Sequence, residues 1–291
     1  MITGSPVQAK TVGVIMTGNI PYYQAIHAAM LKELAPVIEE KGLEIIIQTP
    51  VPNPMSWTNA ARKLKAVGSE LIITYGMPAT LTTMKEESRI PIVYGGVYSP
   101  KSLHISGKNA TGISSTVSVR SLLKNLRKLT EFSRVGIVFN KTEKDSILQA
   151  REVKKFEKRL KFKTSLLNIS NDGYTEKMST CSAVILTACS AGMCMPHLPK
   201  IIEKANELKI PTAAMLEGAE DLVVLTISAS PQEQGKNVAD MARKILGGVK
   251  PKDIPPRDAE QINMIINVKL AKSLGLEVPA DLISKATRVI E

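Results

Sequence analysis

The sequence predicts an α/β protein built as two similar doubly wound lobes, each around a parallel sheet. Three observations carry this. Short apolar strands alternate with amphipathic helices along the chain, the βαβα order of a parallel sheet covered on both faces. That alternation restarts at Thr111-Gly-Ile-Ser-Ser115, so there are two series. The length, 291 residues with 44% hydrophobic side chains, is enough for a large buried core in each.

In order, the first series reads as a strand at 11–16, a helix at 22–40, a strand at 43–48, a helix at 56–67, a strand at 71–74, a helix at 79–87 and a strand at 91–94. The second reads as a helix at 119–130, a strand at 134–139, a helix at 145–159, an edge strand near 165–169, a strand at 183–187, a helix at 198–208, and strands at 211–214 and 222–227. A helix at 231–246 follows. The C-terminal stretch alternates as a strand up to Ile266, with Asn267 as the N-cap of a helix that Gly275 terminates. Val278-Pro279 then starts a closing helix.

Composition excludes several classes. The longest apolar runs, 183–188 and 222–227, fall far short of the roughly 20 residues a spanning helix needs. The excess of 38 Lys+Arg over 27 Asp+Glu gives a formal charge of +11, which raises nucleic acid as a partner. Much of that excess sits in 151–163, where interleaved Glu and apolar residues describe one solvated amphipathic helix, and few aromatics are available to stack on bases. No nucleic-acid partner is expected. The first ten residues carry no charged and then apolar leader, so an export signal is either absent or already removed. Three cysteines, Cys181, Cys189 and Cys194, have no metal-finger spacing and cannot all pair.

In doubly wound sheets, ligands bind outside the carboxyl ends of the strands, where loops and helix N-termini converge. In the first lobe that rule selects Thr17, Gly18, Asn19 and Tyr22, then Gly76 and Met77, then Tyr94, Gly95 and Gly96. In the second it selects Asn140 and Lys141, the loop from Ala188 and Cys189 onward, and Glu217 with its neighbours. Tyr94, ending a strand, is a candidate stacking surface for an apolar or aromatic ligand. Trp57 reads as core. The loop holding Cys189, Met193, Cys194, Met195 and His197 has two readings: a soft-donor site suited to Cu(I), or an apolar wall in which Met fills gaps and Cys acts as a small hydrophobe.

Enzymatic motifs are missing. There is no Gly-x-Ser-x-Gly elbow, no His-Glu-x-x-His, no phosphate-binding Gly-x4-Gly-Lys and no Gly-x-Gly-x-x-Gly after a strand. A cofactor-independent Asp/Glu racemase would place one cysteine at the cleft from each lobe, yet all three cysteines fall in the second series. No catalytic residue, resident metal or cofactor is expected.

Several blocks, in order and with matching spacing, look like one family. At the C-terminus these are Asn267, Lys269, Ala271, Lys272, Leu274, Gly275, Leu276 and Pro279. Asn109-Ala-Thr-Gly-Ile-Ser114 is similar to a hinge motif, Ile90-Pro-Ile-Val-Tyr-Gly-Gly-Val97 precedes it, and Gly136-Ile-Val-Phe-Asn140 opens the second lobe. The stretch 228–255 completes the pattern. The chain resembles the ABC-transporter substrate-binding proteins that include tryptophan- and other aromatic amino acid-binding members, with the type I periplasmic-binding-protein fold. That resemblance implies an extracytoplasmic importer component, a monomer that captures a small molecule and presents it to a membrane permease. It implies lobes of 8–115 with about 229–252, and 116–228 with about 253–291. Hinges would lie at 114–116, at 227–229 and near Ile254, bringing Ser114 and Ser115 to the cleft. The family pattern carries an acid just after Thr-Gly-x-Ser, where this chain has Ser115. An amino-acid ligand would therefore need Glu217 or another acid for its ammonium group.

Overall fold

The computed structural model describes residues 10–87, 89–105, 107, 109–188 and 195–291, with Met195 described by its backbone alone. The first lobe runs β1 (Thr11–Met16), α1 (Pro21–Lys41), β2 (Glu44–Gln48), α2 (Pro54–Ala66), β3 (Leu71–Tyr75), α3 (Met77–Glu86), β4 (Ile92–Val97) and β5 (Ala110–Ser114). Its five strands pair in parallel in the order β2-β1-β3-β4-β5. The second lobe begins with α4 (Val119–Leu129), β6 (Arg134–Phe139), α5 (Lys144–Lys154), α6 (Glu157–Leu160), β7 (Lys163–Asn168), β8 (Ala183–Leu186), α7 (Leu198–Glu207), β9 (Thr212–Ala214) and β10 (Leu225–Ala229). After α8 (Pro231–Leu246) it is completed by β11 (Ile262–Asn267), α9 (Val268–Ser273), α10 (Ala280–Ile283) and β12 (Arg288–Ile290).

The seven strands of the second sheet take the order β12-β11-β10-β9-β8-β6-β7, all parallel except the antiparallel β10–β11 pair. Strand order reverses at β1 in one sheet and at β6 in the other, so each lobe has a crevice beside the carboxyl end of that strand. Those two ends lead into the Thr17 loop and the Asn140 loop.

Helix α8 returns to the first lobe. Val238, Ala239, Met241, Ala242 and Ile245 join Val12, Val14, Ile26, Met30 and Leu71 in one buried cluster. Its crossing with α1 is close because position 235 is glycine. A Cβ there would lie 2.5 Å from the Ala29 Cβ and 2.5 Å from the Ile26 carbonyl oxygen, a backbone atom that cannot swing aside. Gly235→Ala is accordingly expected to destabilise the protein by about 1–3 kcal/mol, read as a lower denaturant midpoint; an unchanged midpoint would mean the helices separate freely. Beside it Gln234, fully buried, accepts the Gly96 N–H at 2.9 Å and donates to the Ser114 carbonyl at 2.9 Å, fixing α8 to β4 and β5.

The chain stays with the first lobe as far as Arg257. Ile254 lies in that lobe's core, and Arg257 pairs with β5 through its N–H to the Gly112 carbonyl and its carbonyl to the Ser114 N–H. The C-terminal elements then fill the second core with Met264, Ile266, Ala271, Leu274 and Leu282.

Four local expectations differ from the observed elements. The strand expected at 91–94 runs on to Val97, so Tyr94, Gly95 and Gly96 lie within β4 rather than beyond its end. The helix at 145–159 breaks into α5 and α6, where Phe156 donates to Val153 three residues back and turns its ring onto the second core. The strand at 222–227 starts later, at Leu225, because Leu222 closes a turn onto Ala219. The closing helix shrinks to α10, and the last residues form β12 against β11. Three residues are too few for a period of two to show. Among the described residues no helix is long and apolar enough to cross a membrane.

Candidate functional site

The loop after β1 is fixed from all sides. Thr17 donates its N–H to the Tyr75 carbonyl at 2.9 Å, accepts the Ala79 N–H on its hydroxyl at 3.2 Å, and accepts the Trp57 indole N–H on its carbonyl at 2.9 Å. Trp57 is thus core, buried with Ile15, Leu64 and Ile72. The Gly18 carbonyl takes the Ile20 N–H, and exposed Asn19 accepts from the Gln24 side chain.

Tyr23 enters the same spot from α1. Gly76 precedes α3 at φ +86°, and a Cβ there would lie 2.5 Å from the Tyr23 hydroxyl and 2.6 Å from the Thr17 hydroxyl. Met77 and Tyr94 are fully buried with Val97 and Ile105, and Leu148 from α5 of the second lobe packs on that cluster. The Tyr94 ring lies over Gly112, where any Cβ would strike it at 2.5 Å.

Other residues selected by the sheet rule are engaged structurally. The Tyr22 hydroxyl donates to the Ala229 carbonyl at 3.0 Å, a bond from α1 to the end of β10. Gly95 and Gly96 give way to neighbours, since a Cβ would meet Val238 at 2.9 Å or the Tyr23 ring at 2.9 Å. Ser114 bonds Thr116 through its hydroxyl at 2.7 Å, and the Ser115 N–H reaches the Val97 carbonyl at 2.8 Å. Both sit where the chain leaves β5.

Facing them, the second lobe presents the loop after β6. Asn140 is fully buried, donates its N–H to the Ser146 hydroxyl at 2.9 Å, accepts from Thr142 and donates to Glu143 at 3.2 Å. Lys141 is exposed, its N–H on Asn168 at 3.3 Å. Ser146 bonds Thr187 at 2.6 Å, and the Ala188 N–H reaches the Gln149 side chain at 2.6 Å. Cys189, Met193 and Cys194 lie outside the described residues; His197 bonds the Tyr174 hydroxyl through Nδ1 at 3.1 Å. Among the described residues no group of three or more His, Cys, Asp or Glu could hold a metal ion.

Two acids that sequence reasoning did not single out dominate the electrostatics. Glu143 and Asp145 open α5, and only 4% and 3% of their surfaces are exposed. Burial, and secondarily the neighbouring Glu143, push the Asp145 carboxyl up to about 7; backbone N–H groups, including that of Ser146 at 3.0 Å, offset part of this. The same two carboxylates, with burial as the larger cause, push up the Tyr23 hydroxyl across the cleft. Asp145 has no cationic partner among the described residues. Glu217, by contrast, is occupied: it accepts from Ser228 at 2.6 Å and Asn263 at 2.8 Å.

An apolar pocket of about 110 Å³ spans the lobes. Asn19, Ile20 and Pro21 form one wall; Val138, Leu186, Thr187, Ala188, Leu216 and Glu217 are among the residues of the other. Thr187 belongs both to the pocket and, through Ser146, to the acid-bearing turn.

Fold and site together define a two-lobed small-molecule-binding protein with its cleft between doubly wound sheets. The chain belongs to the ABC transporter substrate-binding protein family, whose profile matches residues 21–290. Members of this family capture small molecules outside the cytoplasm and work with ABC permeases. A tyrosine-binding protein of Clostridioides difficile is 23% identical over 92% of this chain and 81% of its own length. Among solved structures, an ABC domain in complex with L-Trp from Streptococcus pneumonia superposes with a TM-score of 0.89 at 17% identity, covering 97% of this chain and 100% of that one. The ligand-free, open structure of a Clostridium difficile substrate-binding protein with adhesive properties gives 0.73 at 21% identity, over 97% and 99%. The fold is the type I periplasmic-binding-protein fold.

Proposed function

We propose that this protein is the extracytoplasmic component of an ABC importer and that it captures an amino acid with an apolar or aromatic side chain. The observation behind this reading is Asp145, a buried carboxyl without a cation among the described residues, next in the chain to Ser146, whose hydroxyl bonds Thr187 in the wall of an apolar interlobe pocket. An α-ammonium group would supply the missing charge, a carboxylate would suit the N-terminus of α3, and the side chain would enter the pocket. Asp145 thus takes the role that Ser115 leaves open, since Glu217 is engaged by Ser228 and Asn263.

On this reading Thr17, Gly18, Asn19, Gly76, Met77, Asn140, Lys141 and Ala188 frame the ligand, while Tyr22, Tyr94, Gly95, Gly96, Ser114, Ser115 and Glu217 shape and hinge the frame. The lobes move as 10–115 with about 229–257, and 116–228 with about 258–291. They close around 114–116, 227–229 and the stretch after Ile254. Capture needs no bond-making step, no cofactor and no second subunit, so the protein works as a monomer and returns its ligand unchanged.

Thermal denaturation against a panel of amino acids, sugars and dicarboxylates tests the reading. A ligand at a hundred times its dissociation constant adds about 2.7 kcal/mol of stability. Aromatic or branched amino acids are expected to raise the midpoint; a shift by sugars alone, or by nothing in the panel, would sink the proposal.

A further inference from the structure

A second groove, of about 540 Å³, runs along the side of the molecule between the loop after β4 and the face of α4 and α5. We propose that it is a binding site for a phosphate-bearing anion, and that its occupancy holds the lobes together. Its walls come from both lobes: Tyr98, Ser99 and Ser102 from the first, Arg120 and Arg151 from the second, with Thr116 between them. It is separate from the amino-acid cleft, because Arg151 lies nearly two turns along α5 from Asp145.

The charges in the groove do not cancel. Glu152 is matched by Lys155 at 2.6 Å, which leaves Arg120 and Arg151, neither of which makes an ion pair among the described residues. Hydrogen-bond donors are left over as well. Tyr98 is only 4% exposed as a residue, but its hydroxyl is not among the enclosed atoms left without a partner: it opens onto the groove, where no described residue bonds it. Burial and the Glu152 carboxylate across the groove push that hydroxyl up to about 12, so it stays a donor at any physiological pH.

At the N-terminus of the 11-residue α4, Ser118 caps the Ser121 N–H at 3.2 Å, while the Val119 and Arg120 N–H groups have no partner among the described residues. Two guanidinium forks, a phenol donor and first-turn amides are the donor set a tetrahedral oxyanion needs. Leu148 and Phe156 flank it, so room remains for an organic group attached to the phosphate.

A phosphomonoester in solution and the headgroup of an anionic phospholipid carry the same chemistry. Because one wall belongs to each lobe, the anion favours the closed arrangement and, by reciprocity, tightens amino-acid binding.

The test titrates the protein with inorganic phosphate and glycerol phosphate at constant ionic strength, without amino acid, and separately with phosphatidylglycerol and phosphatidylcholine vesicles. Wild-type protein is expected to be stabilised by the soluble phosphates, or to bind the phosphatidylglycerol vesicles alone, which would assign the headgroup as the source. R120Q/R151Q is expected to weaken either response at least tenfold, and Tyr98→Phe several-fold. Amino-acid affinity measured without phosphate should change less than twofold in these variants, which separates this site from the cleft. Equal responses of wild type and R120Q/R151Q, or no response to any of the four probes, would overturn the proposal.

Discussion

Asp145→Asn is expected to weaken amino-acid binding by about 30-fold to several thousand-fold, the 2–5 kcal/mol associated with removing one partner of a buried ion pair. The same substitution should make the ligand-free protein more stable at pH 8. There the native carboxylate is ionised, buried and without a cation among the described residues, whereas an amide of the same shape carries no charge to desolvate. Opposite signs on the two measurements distinguish a binding group from a structural one. Calorimetric titration together with thermal midpoints, with and without ligand, reads both. An apo midpoint that falls while affinity holds would assign Asp145 to the fold alone.

Affinity is expected to depend on pH below neutrality. The Asp145 carboxyl is pushed up to about 7 from an ordinary value of 3.8. Between those values the folded protein holds a proton that the unfolded chain has released. Its contribution to apo stability is therefore complete below 3.8 and is lost as pH rises through 7. An ammonium ligand selects the ionised form, so binding below pH 7 must expel the proton. Apparent affinity should fall about tenfold per pH unit between 6.5 and 5, and level off above 7. In Asp145→Asn the slope should vanish. A wild-type profile flat from pH 5 to 8 would mean that no cation meets this carboxyl.

The sheets were readable because their strands are short apolar runs bounded by Gly, Pro and polar residues, and because the alternation restarts after Ser115. What escaped notice was local. Phe156 breaks a helix whose charge pattern runs straight through it, and β12 is three residues long and held by register with β11. At the cleft, the rule that ligands sit at carboxyl ends of strands pointed to Thr17, Asn19, Asn140, Ala188 and Glu217, which line or adjoin the interlobe space. It could not single out Asp145. Acids in the first turn of a helix suit the macrodipole on any exposed helix, and only tertiary packing tells a buried one from a solvated one. Nor does sequence show that Gly95 and Gly96 make room for Val238 and Tyr23, or that Tyr22 ties α1 to the end of β10.

Helix α8 and the closing strands also set the order in which this chain can be built. The first lobe lacks Val238, Met241 and Ile245 until residue 246 has been made, and the second lacks β11 and β12 until the chain is all but finished. Each lobe is thus interrupted by the other, and in the first lobe the contacts of α1 with α8 join residues some two hundred positions apart. Such long closures are slow to form. A nascent chain of this kind stays uncommitted to its final fold through most of its synthesis.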